Sequence, residues 1–122
     1  MPYLLLIGLL SVAVTAGAKD LACSVKASRF DAETKSMAKV TERDARKTAM
    51  SEVRISGASI SSGGLEVEDG CLLYTYDIKV PSRKGVQEVI IDAGTGKVLN
   101  VEHESPAKEA AERAHDKVNT KR

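Results

Sequence analysis

The chain has 122 residues, 43% of them hydrophobic and 29% charged, with a formal net charge of +1. That length fits one small domain, and the near balance of acids and bases aims no field at nucleic acid or anionic lipid. With three Tyr, one Phe and no Trp, the core must come mainly from Ile, Val, Leu and Ala.

Leu4 to Val14 is an apolar run of signal-peptide length, followed by Ala16-Gly17-Ala18, an A-x-A cleavage pattern. It falls short of the roughly 20 apolar residues of a membrane span. The reading is a signal peptide over residues 1–18 cut after Ala18, giving a periplasmic or secreted chain with no transmembrane segment once mature. The n-region Met1-Pro2-Tyr3 lacks Lys and Arg, and an uncleaved N-terminal anchor is the alternative.

Export bears on Cys23 and Cys71, the two cysteines of the chain. An even count in an oxidising compartment points to one disulfide. Two free thiols, or lipidation of Cys23 within Leu21-Ala22-Cys23, are the competing readings. Asp20 stands where a lipobox wants an apolar residue.

Residues 19–37 read as a linker running into the start of a helix. From Asp31 to Val53 the composition is helical, without Pro or Gly. Thr41 and Asp44 resemble a capping box, and Ala45, Ala49 and Val53 share one face. Ser61-Ser62-Gly63-Gly64 is a loop signal. Leu65 and Val67 then alternate with Glu66 and Glu68 in a short strand. Cys71 to Val80 is the clearest strand, with Leu72, Tyr74, Tyr76, Ile78 and Val80 on its core face and a largely polar face toward water. Val86 to Asp92 and Val98 to His103 supply two more, with Val89, Ile91, Leu99 and Val101 expected under the helix. From residue 105 to 122 the chain is a charged tail. Ser105 and Pro106 suit a helix start, and Ala107, Ala110, Ala111, Ala114 and Val118 form a thin stripe. The fold class that follows is α+β, one helix on an antiparallel sheet of three to four strands, with the tail either solvated or an association helix.

Asp92-Ala93-Gly94-Thr95-Gly96-Lys97-Val98 superficially contains a phosphate loop. A P-loop needs a first Gly at position 91, a Ser or Thr at 98 and a helix after it. Ile91, Val98 and a strand-like continuation stand there instead. A hairpin fits: Asp92 bonds backbone amides ahead of it, and Gly94 and Gly96 take positive φ where the chain reverses.

Val89 to Leu99 resembles the closing hairpin of PepSY domains, whose pattern runs apolar-x-apolar-Asp-Ala-x-Thr-Gly-Lys-apolar-Leu. The Thr41–Val53 helix, Gly57, Glu68-Asp69-Gly70 and Tyr74-Thr75-Tyr76-Asp77-Ile78 follow in the family's order, so the resemblance spans residues 38–104. Cys71 lies outside the family pattern. The resemblance implies a small exported binding module, with a propeptide-like role as a peptidase inhibitor or modulator acting in trans. The alternative is a structural or sensory cell-envelope protein that binds a small ligand, an ion or an envelope partner.

The residues offer little for catalysis. His103 and His115 sit apart, and no Ser-His-Asp set can be assembled. Cys23, Cys71, His103 and His115 lack zinc-site spacing. Glu66, Glu68 and Asp69 could attract a cation such as calcium, but read as a solvated strand face and turn. The expectation is no enzyme, no cofactor, no metal and no nucleic acid, with a protein or peptide of the cell envelope as partner.

Overall fold

The computed structural model describes residues 21–120; the expected leader and its cleavage after Ala18 lie outside the described residues. The elements run α1 (Ala32–Ser36), α2 (Glu42–Val53), β1 (Ser59–Glu68), β2 (Cys71–Lys79), β3 (Val86–Asp92), β4 (Val98–Glu104) and α3 (Pro106–Thr120). The strands form one antiparallel sheet in the order β1-β2-β3-β4, so the fold is α+β.

Thr41 starts α2 by accepting the Asp44 N–H at 3.2 Å, and Arg54 ends it in a left-handed conformation with φ 43°. Such a cap contributes about 1 kcal/mol, whereas burying one Leu or Ile contributes about 1.5–3 kcal/mol, so packing on the sheet dominates. Ala45 and Ala49 are fully buried against Leu72, Tyr74, Tyr76, Ile78, Val89 and Ile91; their small size brings the helix close. The Tyr74 hydroxyl donates to the Val40 carbonyl at 2.7 Å, and the Tyr76 hydroxyl to that of Glu42 at 3.5 Å. Burial raises both phenols, Tyr76 to about 12.

Two core assignments need correction. A β-bulge between Ile90 and Ile91 sets Ile90 opposite Asn100 and Ile91 opposite Val98. Leu99 falls in the extra position and packs on the other face, with the cluster containing Leu73 and Ile90; Val98 packs beneath α2 in its stead. Val101 lies opposite Val89, but on the edge strand, and remains 42% exposed.

The Ser61–Gly64 loop signal is also overturned, since those residues lie inside β1. A second bulge, between Ile60 and Ser62, absorbs the irregularity. Gly63, with φ 133°, allows β1 to press on β2: a Cβ there would overlap the Thr75 carbonyl oxygen.

Nor is the stretch after residue 19 a free linker where it is described. Leu72 N–H donates to the Val25 carbonyl at 2.9 Å, Ala27 N–H to that of Gly70 at 3.0 Å, and Lys26 bridges to Cys71. Cys23 and Cys71 are disulfide-bonded, with Cα atoms 6.0 Å apart. Leu21, both cysteines, Leu73 and Ile90 make a second core on the face away from α2.

Asp92 anchors this segment. Its carboxylate accepts from Ser24 N–H at 2.8 Å and Ser24 Oγ at 2.5 Å, and from Thr95 N–H and Oγ1, both at 2.8 Å. Burial pushes the carboxyl up, but these hydrogen bonds outweigh it and hold it below its usual value. Gly96 has φ 78°. Gly94 is not among the positive-φ residues, contrary to expectation; it is small because Ser24 Oγ and Val25 occupy the space a Cβ would fill.

Candidate functional site

Strand alternation sends Thr75, Asp77, Glu88 and Glu104 to the face opposite α2. Asp77 of β2 pairs directly with Glu88 of β3 in the ladder, and Glu88 with Glu102 of β4. Like charges facing one another across strands destabilise a sheet. Oxygens of Asp77, Glu88 and Glu104 nevertheless all lie within 4.8 Å of one another. Glu88 is 8% exposed and Glu104 fully buried.

The C-terminal helix closes over this face. Ser105 Oγ caps it through the Lys108 N–H at 3.3 Å, and Pro106 is its first residue. Lys108 Nζ lies 2.7 Å from Glu102 Oε1 and 3.6 Å from Glu104 Oε1, and Arg113 pairs with Glu109. The helix therefore presents charged side chains to the sheet, while Ala107, Ala110, Ala111 and Ala114 face solvent. Between helix and sheet runs a cleft of about 520 Å³. Thr75, Asp77 and Glu88 line it from the central strands, Glu66 and Glu68 from β1, and Glu109, Glu112, Arg113 and His115 from the helix.

The electrostatics are those of crowded acids. Burial pushes Glu88 up to about 9, reinforced by the close approach and charge of Glu104 and by the charges of Glu112 and Glu68. Burial, Glu104 and Asp77 raise Glu112 to about 7, against Lys108. Burial also raises Asp77; a Ser62 hydrogen bond and Arg113 oppose this, and Glu104 and Glu109 add to it. Among the described residues, the buried side-chain polar atoms without a hydrogen-bond partner are Thr75 Oγ1, Asn100 Nδ2 and both Glu104 oxygens. Thr75 lines the cleft, and Asn100 pairs with Ile90 on the same side of the sheet.

The sequence-derived candidates fall elsewhere. Cys23 and Cys71 staple the apolar end of this face, and Asp92, Gly94 and Gly96 build the hairpin turn. Gln87 Nε2 lies 3.4 Å from His103 Nδ1. Glu66, Glu68 and Asp69, taken for a solvated strand and turn, line the cleft. Asp77, Glu88 and Glu104 form no motif in the sequence. The available signal was hairpin register: folding the chain about Pro81–Gly85 brings Asp77 opposite Glu88.

No family model, no curated protein and no solved structure matches this chain. The PepSY resemblance rests on the residues that carry it.

Proposed function

We propose that this protein is an exported, non-catalytic binding module of PepSY type whose cleft between sheet and C-terminal helix receives a positively charged ligand. The observation that carries the reading is the convergence of half-buried Asp77 with buried Glu88 and Glu104, the first two lining one cleft with the unpartnered Thr75 hydroxyl. Buried carboxylates crowded together with too few counter-charges are costly, and an entering cation offsets that cost. The Cys23–Cys71 disulfide supports an oxidising compartment, and among the described residues no helix is long and apolar enough to cross a membrane.

The test is equilibrium binding of spermidine, an arginine-rich peptide and calcium to the purified chain, at low and high salt. Binding of at least one cation, weakened by Asp77→Asn together with Glu88→Gln, is expected. Failure of all three to bind, or equal binding by the double variant, would contradict the reading.

A second reading is a peptidase modulator acting in trans. β1 favours it: this ten-residue strand lies at one margin of the sheet, where an extended peptide can add by strand pairing. Inhibition of exported metallopeptidases that is lost when Ser62 is changed to Pro would support that role; no inhibition across such a panel would remove it.

A further inference from the structure

We infer that the cation is a single calcium-class divalent metal ion, held by Asp77, Glu88 and Glu104, with the Thr75 hydroxyl lining the same cleft as Asp77 and Glu88. This rests on reading the cleft as a cation receptor and names its ligand. Three strands each supply one carboxylate, and the oxygens lie within 4.8 Å of one another. Two oxygens on opposite sides of one calcium ion stand about twice its 2.3–2.6 Å bond length apart, so one ion can bridge oxygens this close together.

The donor chemistry selects the ion. All three clustered groups are carboxylates, which suit hard cations rather than zinc or copper. Charge favours a divalent ion as well: Lys108 lies 3.6 Å from Glu104 but nearer to Glu102, at 2.7 Å, so the three clustered carboxylates keep an excess of negative charge. The evidence independent of the acidic cluster is Thr75 Oγ1. Thr75 is 9% exposed and lines the cleft, and its hydroxyl has no hydrogen-bond partner. A metal ion or its bound water would satisfy it.

The experiment is calorimetric titration of the full chain with calcium chloride at pH 7.5, with spermidine as a parallel ligand. One ion per chain is expected, with Kd on the order of 10⁻⁴ M. Glu88→Gln is nearly isosteric and keeps the fold. It should weaken calcium about tenfold or more, while Thr75→Val should give a smaller loss. Spermidine binding without calcium binding would overturn the metal assignment and leave the cation receptor standing; absence of both would remove both. Equal calcium affinity in Glu88→Gln and the parent would also overturn the site.

Discussion

The face of the sheet under α2 and the face under α3 are made from the same four strands, yet they are built on opposite principles. Under α2, Leu72, Tyr74, Tyr76, Ile78, Val89 and Ile91 pack against two alanines, and the tyrosine hydroxyls reach carbonyls at the helix start. On the other face, one end is a small apolar core closed by a disulfide and the other a crowd of carboxylates beneath a charged helix. The first arrangement lowers the free energy of the fold by burial. The second holds like charges together in a low-dielectric site, an arrangement that stabilises the fold only when a proton or cation joins it.

The comparison can be broken most forcefully on the α2 face. Tyr76→Ala removes a fully buried ring and is expected to cost about 3–5 kcal/mol, read as a lower urea midpoint. Reduction of Cys23–Cys71, separated by 48 residues, should cost about 2–4 kcal/mol, measured by urea unfolding with and without dithiothreitol. Asp92→Asn places an amide N–H₂ where Ser24 and Thr95 donate, and should cost about 1–3 kcal/mol. Because those bonds depress the Asp92 carboxyl, its stabilising contribution is present above the carboxylate's unfolded pKa and is lost as pH falls through the lower folded one. The variant should therefore also soften the acid limb of the unfolding curve. At the small end, Val101→Thr on the exposed edge should change stability by no more than about 0.5 kcal/mol, in contrast to any substitution at its ladder partner Val89.

The two faces were unequally legible in the sequence. The α2 face follows from local pattern: period-two alternation in Leu72 to Ile78, the Thr41 cap, and Ala45 and Ala49 four residues apart. Leu99 escaped because a single bulge reverses the alternation after it, and such an insertion leaves no compositional mark. Val101 escaped because alternation gives the face and not the reach of the helix above it. The carboxylate face depends on pairing between strands and on where a helix of small and charged residues comes to rest. Asp77, Glu88 and Glu104 lie far apart in the chain, and only the sheet register joins them. The N-terminal segment looks like a linker in the sequence for the same reason: its partners, Cys71, Leu72 and Asp92, are all distant in the chain.

The most direct test of the difference between the faces is the pH dependence of the urea midpoint, in metal-free buffer from pH 5 to 9, for the parent chain and Glu88→Gln. A carboxyl raised to about 9 in the folded state favours folding fully below its unfolded value near 4.5. That contribution then declines by at most about 1.4 kcal/mol per pH unit until the folded pKa is passed. The parent should lose stability steadily across this range, while Glu88→Gln should run flatter and be the more stable protein at pH 8. Parallel curves, or a variant less stable than the parent at every pH, would contradict the claim that this face is a strained carboxylate site built for a positive charge.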